Sequence, residues 1–331
     1  QKNIKTFTKQ LKELGFDYDW SKMIATSDPD FYHWTQWIFK QLYKDGYAKY
    51  VDMPVNWCEE LGTVLSNDEV VDGKSERGGY PVIRKNMKQL CIDQAAFAER
   101  LLEGLNEIDW PESTKEMQRH WIGRSTGVEV QFEIVGGGKF SIFTTCIETI
   151  YGITFMVLAP DGDLVQELMP RIKNQDEVKA YIKETVSKSE MDRTELNKGK
   201  SGCRLEGIKA INPVNGKEVE VFIGDFVLAN YGTGAVMAVP SHDQRDFEYA
   251  IAHNIDMIQV IEGQDVSEHA FEKQDYLGKG CKLINSEEFT GLTVEEAKVA
   301  ITKKLVDMGI AKETVNYRFR EWIFARQRYW G

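Results

Sequence analysis

The rest of this sequence is arranged around one polar stretch, Phe143-Thr144-Thr145-Cys146-Ile147-Glu148-Thr149-Ile150-Tyr151-Gly152, and the apolar run Ile153 to Pro160 that follows it. Threonines and a glutamate lie where one β-like run, Lys139 to Phe143, gives way to another. Polar clusters between apolar runs mark strand ends, so the pattern predicts a corner between two strands, or between a strand and a helix. That corner presents short hydroxyl groups.

A second polar stretch also borders a strand pattern: Tyr231-Gly232-Thr233-Gly234-Ala235-Val236-Met237-Ala238-Val239-Pro240-Ser241-His242-Asp243-Gln244-Arg245-Asp246. Asp243 and Asp246 lie at the start of a predicted helix. They are either an N-cap and a first-turn acid that complement the helix dipole, or they bind a ligand. Spacing alone favours the first interpretation. His242 is assigned a local hydrogen bond and no catalytic role, while Arg245 pairs either with a phosphate or with a neighbouring acid.

Composition places the chain among globular proteins of two or three domains. Its 331 residues are 42% hydrophobic and 11% aromatic, which is ample for packed cores. No apolar run approaches the roughly 18 residues that span a bilayer, and Gln1-Lys2-Asn3 begins no apolar signal region. A cytoplasmic protein without a membrane partner is therefore expected. The net charge of −11 argues against a broad basic surface for duplex nucleic acid, so any RNA contact is expected to be local.

The cysteine positions argue against disulfides and a thiol zinc site, and the arginine positions indicate one possible RNA contact. Five cysteines are scattered without a Cys-x-x-Cys pair, so free thiols are expected, with neither a disulfide framework nor a thiol zinc site. One dense basic cluster comprises Arg318, Arg320, Arg326 and Arg328. It is either a local RNA contact or an ordinary solvated face.

Hydrophobic periodicity predicts helices first and a β-rich region afterwards. Early helices are predicted over Ile4 to Leu14, Pro29 to Lys44 and Gln94 to Leu105, and the aromatic stripe of the second is interpreted as core. From Gly127 to about Val315 many short strands are interrupted by helices, and their irregular spacing favours a mixed barrel over a sandwich. The predicted strands are 128–134, 139–144, 154–158, 207–211, 218–223, 235–239 and 257–261, and the predicted helices are 163–169, 177–187, 244–253 and 294–308.

Two local signals in this region are specific. Asn215-Gly216 between two strand patterns predicts a hairpin turn, because both residues tolerate the positive φ that such turns require. Thr293 and Glu296 predict a capping box at the start of the last helix, and Gly309 predicts its end.

Together these motifs resemble one known family, the bacterial-type leucyl-tRNA synthetases. The hydroxyl-rich stretch is similar to the threonine-rich peptide of their connective-peptide editing domain, and Gly232 to Asp246 is similar to that domain's Gly-Thr-Gly-Ala and His-Asp-x-Arg-Asp segment. The remaining motifs that match in order are Val55-Asn56-Trp57-Cys58, Gly62-Thr63-Val64-Leu65, Val70-Val71-Asp72-Gly73, Met117-Gln118-Arg119, Trp121-Ile122-Gly123-Arg124-Ser125 and Arg326-Gln327-Arg328-Tyr329-Trp330-Gly331.

The resemblance implies a chain of both α/β and α+β architecture. A partial class I Rossmann-like catalytic domain would occupy residues 1–123, and a return into that domain residues 316–331. Between them, residues 124–315 would form an inserted mixed β-barrel editing domain of the valyl-, isoleucyl- and leucyl-tRNA synthetase type. Many members hold zinc near the position of Cys58, but at most one of four soft ligands is present here, so no metal is expected.

The implied activity is aminoacyl-tRNA editing, the hydrolysis of tRNA(Leu) that carries isoleucine, valine or norvaline at its 3' end. The implied partners are the 3' end of tRNA(Leu), leucine and near-isosteric amino acids. Editing is expected to need no cofactor, whereas a full-length synthetase of this family ligates leucine to tRNA(Leu) with ATP and Mg. The signatures His-x-Gly-His and Lys-Met-Ser-Lys-Ser are absent, so this chain is not expected to activate leucine.

The resemblance also assigns roles within the two polar stretches. Thr144 and Thr145 would hydrogen-bond the ester, the ribose or the attacking water. Asp243 and Asp246 would complete the catalytic set, with Asp246 as the anchor of the α-ammonium group. Thr149 would exclude the γ-branched leucine, because a β-branched side chain is stiff. The remaining substrate-binding residues would be Met237, Val239 and Arg245.

Departures from the family pattern leave alternatives open. The family usually shows Thr-Thr-Arg-Pro-Asp-Thr, whereas Cys146, Ile147 and Glu148 stand here, and losing the guanidinium removes a possible phosphate contact. The chain is then either a working editing domain or a module that binds the tRNA end with weakened hydrolysis. A valyl- or isoleucyl-tRNA synthetase is the nearest other family, and Trp57-Cys58 favours the leucyl one. A thiolate nucleophile at Cys146 is not expected, since no histidine is near it in sequence.

Overall fold

A computed structural model describes residues 2–71, 73–186, 193, 201–229, 232–318 and 321–325 of the chain. The helices are α1 Lys2–Glu13, α2 Pro29–Lys44, α3 Ala98–Gly104, α4 Glu112–Ile122, α5 Asp163–Leu168, α6 Gln175–Val186, α7 Gln244–His253, α8 Lys273–Tyr276 and α9 Val294–Asp307. The strands are β1 Ala48–Cys58, β2 Thr63–Leu65, β3 Val70–Val71, β4 Lys74–Ser75, β5 Ile83–Ile92, β6 Ser125–Ile134, β7 Lys139–Thr144, β8 Phe155–Leu158, β9 Gly202–Ile211, β10 Glu218–Gly224, β11 Ala235–Ala238, β12 Ala311–Asn316 and β13 Trp322–Ile323. A 3₁₀ helix, Ile147–Gly152, occupies the hydroxyl-rich corner.

The helices predicted from caps and periodicity are confirmed. Helix α7 covers the predicted residues, and Asp243 precedes it as N-cap. Helix α9 begins with the capping box, in which the Glu296 carboxylate accepts from the Thr293 amide at 3.0 Å and the Thr293 hydroxyl accepts from the Glu296 amide at 3.3 Å. Among the described residues, no helix combines the length and the apolar character needed to cross a bilayer.

The aromatic stripe of α2 is not core, which corrects the interpretation from periodicity. Neither α1 nor α2 buries any residue, and Trp34 is 60% exposed. Helix α2 approaches β1, but the described residues provide no layer over its aromatic face. A periodic apolar face identifies the side of a helix that can be buried, whereas actual burial needs a partner element.

The first sheet has the order β13-β5-β1-β2, and every pair in it is antiparallel. β13 pairs through Trp322 with Ile92 of β5, so residues after β12 lie against the first part of the chain. Rossmann-like folds need parallel strands. Residues 2–71 and 73–123 contain no parallel pair, so the Rossmann-like architecture expected there is not observed. The proposed domain limits remain predictions.

Three arginines of the basic cluster, Arg320, Arg326 and Arg328, lie outside the described residues, as do the motif Arg326–Gly331 and the end of the helix predicted to reach residue 187. Arg318 is described and follows β12.

The second sheet carries the polar stretches. Its order is β11-β8-β10-β9-β6-β12, with β7 paired to the other edge of β6. β8 and β10 are parallel, and the other pairs are antiparallel. Many of its buried side chains, among them Phe132, Ile142, Met156 and Leu158, form an apolar core with helices α5, α6 and α9. A second, smaller apolar cluster joins other strand residues to helix α7. A mixed α/β domain is thus confirmed.

The predicted closed barrel is not observed. The backbones of β7 and β11 approach one another within 8 Å from Cα to Cα, but no ladder of hydrogen bonds joins them among the described residues. The sheet curls without completing its hydrogen bonding. Sequence spacing predicts strand number better than closure, because closure depends on strand tilt and shear.

A strand was also predicted over residues 257–261, and this prediction is wrong. Only Ile261 forms a β-bridge, to Leu283. The amides of Val260 and Ile261 both donate to Nε2 of His242, at 3.0 and 3.2 Å. Those donors are therefore unavailable to a neighbouring strand.

Candidate functional site

The topology brings the two polar stretches to one edge of the second sheet. The pairings from β7 through β6, β9, β10 and β8 to β11 make β7 and β11 run in the same direction. Their carboxyl ends, Thr144 and Ala238, therefore lie at the same edge. The hydroxyl-rich corner (144–149) follows the carboxyl end of β7, and the acidic turn (239–246) follows the carboxyl end of β11.

Gly152 and Tyr276 connect the corner and the turn. A Cβ atom at Gly152 would lie 3.0 Å from Cγ1 of Val239 and 3.0 Å from the Ile258 carbonyl oxygen, so a larger residue there would force these neighbours to shift. Tyr276 of α8 lies between the two segments. Its hydroxyl donates to Oε1 of Glu148 at 3.2 Å, and its ring stands edge-on to the His242 ring at 6.0 Å. Through these contacts the two segments lie in one region of the domain. That they enclose a single cavity for a small aminoacyl adenosine stays a prediction.

Backbone groups fix the hydroxyls of the corner. The Thr144 hydroxyl accepts a hydrogen bond from the Cys146 amide at 3.0 Å, so its own proton remains available to donate. The Thr149 hydroxyl and amide both donate to the Cys146 carbonyl, at 2.9 and 3.1 Å. Thr149 is 2% exposed, so its hydroxyl is used locally and its methyl is held in place. The Thr145 hydroxyl lies 3.6 Å from the Cys146 sulfur.

Asp243 acts as the N-cap of α7. One carboxylate oxygen accepts from the amides of Arg245 and Asp246, at 2.9 and 3.3 Å. The other accepts from Nη2 of Arg245 at 3.0 Å. Of the two partners considered for Arg245, the structure records the neighbouring acid. Both oxygens of Asp243 are engaged within the turn, and its catalytic assignment remains a prediction.

Asp246 is the buried acid of the site. It is 9% exposed, and its Oδ2 accepts from the Val239 amide at 2.8 Å. Burial and the nearby Asp243 carboxylate raise the pKa of Asp246 to about 8. Within the described part of the chain, no lysine, arginine or histidine forms an ion pair with it. With that pKa the acid is largely protonated at neutral pH in the free protein. A cationic ligand group would favour its ionised form, because a charge-assisted hydrogen bond would offset the desolvation of the carboxylate.

His242 is a structural residue, as the sequence interpretation expected. Backbone amides donate to its Nε2, so its proton is on Nδ1, which donates to the Phe271 carbonyl at 2.9 Å. Burial lowers the pKa of His242 to about 4. A neutral ring with both nitrogens engaged cannot serve as a general base.

The two apolar residues predicted to line the substrate pocket, Val239 and Met237, differ in how deeply they are buried. Val239 is buried against Gly152, whereas Met237 is half-buried and packs on the core of the second sheet. A cavity of about 750 Å³ lies at the opposite end of β11, lined by residues such as Thr233, Ala235 and Arg84. None of the predicted site residues lines that cavity.

Two residues of the site were missed by sequence reasoning. Lys298 of α9 donates to the Thr145 carbonyl at 2.9 Å across 153 positions of sequence. Tyr276 reaches Glu148 across 128 positions. No local pattern in the sequence marks either residue. Only the fold brings them to the corner.

The Asp246→Asn substitution is expected to stabilise the protein increasingly as pH rises. The pKa of Asp246 is raised on folding, so this group destabilises the folded state progressively from about pH 4 to about pH 8. Asparagine keeps an acceptor for the Val239 amide and cannot ionise. The free energy of unfolding of the variant, relative to the wild type, should grow by up to about 1.4 kcal/mol per pH unit across that window.

Urea unfolding at several pH values measures this difference, with Asp307→Asn, an exposed acid at the end of α9, as control. The control should follow the wild type. Parallel stability curves for Asp246→Asn and wild type would show that Asp246 ionises normally and would contradict its assignment as the buried acid.

Comparison with known proteins shows similarity to one family model and to solved structures. Residues 119–306 match the family model described as leucyl-tRNA synthetase, editing domain. The chain is also similar to a solved leucyl-tRNA synthetase, agnB2 LeuRS of Agrobacterium radiobacter K84, in a ternary complex with tRNA and LeuAMS. That match has 30% sequence identity and a TM-score of 0.73, and it covers 99% of this chain and 37% of the synthetase chain.

Proposed function

The chain belongs to the leucyl-tRNA synthetase editing-domain family, and from that membership we propose that it hydrolyses mischarged tRNA(Leu) at its 3' end. The targets are isoleucine, valine and norvaline, the near-isosteres of leucine. Because one methylene gives only about 1–3 kcal/mol of discrimination, a second selective site is needed to remove such errors. Cytoplasmic location and the absence of a membrane partner are part of the same proposal.

One observation carries the proposal: the buried Asp246 follows β11 at the same end of the second sheet at which the hydroxyl-rich corner leaves β7. An aminoacyl ester presents an α-ammonium group beside its carbonyl. Asp246 would bind the ammonium, and Thr144 would donate its free hydroxyl proton to the ester oxygen or orient the attacking water. The ester is already activated, so neither a covalent nucleophile nor a cofactor is needed.

Other residues would shape the pocket. Thr149 would hold its methyl against the branch of leucine, and Met237 and Val239 would supply apolar walls. Thr145 would supply a second hydroxyl, and Arg245 would contact the tRNA end from the surface of α7. These assignments come from the family resemblance together with the placement of the side chains at one edge.

Domain arrangement follows the same proposal. Residues 124–315 would form the editing domain, while 1–123 and 316–331 would belong to the catalytic part of a longer synthetase. That synthetase would ligate leucine to tRNA(Leu). The pairing of β13 with β5, on either side of the editing region, supports this arrangement.

Release of isoleucine from Ile-tRNA(Leu) tests the proposal. The chain is expected to accelerate the release over the uncatalysed rate and to leave Leu-tRNA(Leu) intact. No release at any enzyme concentration would end the proposal, and faster hydrolysis of Val-tRNA(Ile) than of Ile-tRNA(Leu) would favour the isoleucyl family.

The Cys146→Arg substitution separates a working site from a binding-only module. Lys298 already provides a cation at the neighbouring Thr145 carbonyl, so restoring arginine is expected to change the deacylation rate by less than about threefold. Single-turnover deacylation of Ile-tRNA(Leu) measures it, with Cys281→Arg as a control at another half-buried cysteine. A gain of about tenfold or more in Cys146→Arg alone would mean that the wild-type site is crippled.

A further inference from the structure

Lys298 is held by a rigid helix beside the hydroxyl-rich corner. Helix α9 is capped by Thr293 and Glu296, and it buries Ala297 and Ile301 completely in the core. It packs against the 3₁₀ helix Ile147–Gly152. The position of the Lys298 backbone is therefore fixed with respect to the corner.

The peptide group between Thr145 and Cys146 is tied at both ends. Its carbonyl accepts from Nζ of Lys298 at 2.9 Å, and its N–H donates to the Thr144 hydroxyl at 3.0 Å. A trans peptide is planar, so its C=O and N–H point in opposite directions. Holding the carbonyl toward Lys298 consequently holds the N–H toward Thr144.

We propose that Lys298 is a positioning residue for ester hydrolysis, which fixes the 145–146 peptide so that the Thr144 hydroxyl accepts from Cys146 and donates its own proton to the substrate. This inference rests on the proposed editing function. Without the lysine the peptide can rotate, and the Thr144 proton is then free to turn away from the ester.

The charges around Lys298 fit a positioning role. Glu148 is fully buried and accepts from Tyr276 with Oε1, while its Oε2 has no hydrogen-bond partner among the described residues. Burial raises the pKa of Glu148, and the charges of Lys298 and Lys273 oppose that shift. The corner is thus anchored twice, by α9 at Thr145 and by α8 at Glu148.

Steady-state deacylation of Ile-tRNA(Leu) by Lys298→Met, Lys298→Arg and Lys303→Met tests the inference. Lys303 is an exposed lysine on the same helix, so it controls for the loss of one positive charge. Lys298→Met should lower kcat by about tenfold or more with KM nearly unchanged, Lys298→Arg should restore most of it, and Lys303→Met should match the wild type. A rise in KM with kcat unchanged would identify a substrate phosphate contact and overturn the inference, as would no change in either constant.

Amide hydrogen exchange of Cys146 gives a measurement that needs no activity. Isotope-labelled cysteine yields signals for only five residues, which makes Cys146 assignable. Its exchange should be faster in Lys298→Met and unchanged in Lys303→Met. Equal exchange in all variants would show that Lys298 does not hold the peptide. If the wild-type protein released no isoleucine, that result would contradict the proposed function. The inferred role of Lys298 in catalysis would then fail as well.

Discussion

Replacing Asp246 by alanine is expected to lower kcat/KM for deacylation of Ile-tRNA(Leu) by about 10²-fold. The carboxylate is buried and forms no ion pair within the described chain, so the α-ammonium group of the substrate would be its main charged partner. Truncating one member of a buried charge pair typically costs about 3 kcal/mol, which corresponds to that factor.

Asparagine at position 246 removes the negative charge of the side chain and keeps its size and shape, so it tests the charge alone. Asp246→Asn retains an oxygen for the Val239 amide, so it should fold at least as stably as the wild type while losing about as much activity as Asp246→Ala. Activity of Asp246→Asn near the wild-type level would show that the acid only caps local structure. The exposed Asp307→Asn serves again as the unaffected control.

The second large effect is expected at Thr149. Thr149→Ala should increase hydrolysis of correctly charged Leu-tRNA(Leu) by about 10–100-fold, because the space left by the methyl admits the branch of leucine. Hydrolysis of Ile-tRNA(Leu) should change little. Single-turnover release of radiolabelled leucine and isoleucine measures both rates.

A matched pair of variants decides which group of Thr149 excludes leucine. Thr149→Ser keeps the hydroxyl that donates to the Cys146 carbonyl and removes the methyl, so it should hydrolyse Leu-tRNA(Leu) as Thr149→Ala does. Thr149→Val keeps the β-branch and loses the hydroxyl, so it should still spare leucine. The reverse pattern would mean that leucine is excluded because the hydroxyl holds the 3₁₀ turn in place, and not because the methyl group fills the space.

Local chemistry explains what could be predicted from the sequence. The capping box of Thr293 and Glu296 fixes the start of α9, and the turn signal Asn215-Gly216 lies between β9 and β10. Alternation of apolar residues placed most strands of the second sheet within a few positions. These features depend on neighbours within a turn or two of the chain.

Features that depend on distant partners could not be predicted. The stripe of α2 carries the apolar period of a core helix, yet Trp34 stays exposed. Helix α4 begins without a side-chain N-cap, and the sequence analysis did not predict it. The run at 257–261 has strand composition but gives its amides to His242, a partner from another segment.

The same limit applies within the site. The polar stretches are visible in the sequence, and the family resemblance joins them. Lys298 and Tyr276 come from helices that contribute nothing else recognisable, so their role appears only once the fold is known.

The central claim is that the hydroxyl-rich corner and the acidic turn bind one aminoacyl adenosine together. Titration with a non-hydrolysable isoleucyl-amide analogue of the terminal adenosine, followed by amide NMR, tests it most directly. The account predicts that Thr144, Thr149 and Asp246 shift with a single dissociation constant, and that all of these shifts vanish in Asp246→Asn. Shifts confined to one segment, or a different affinity at each, would contradict it.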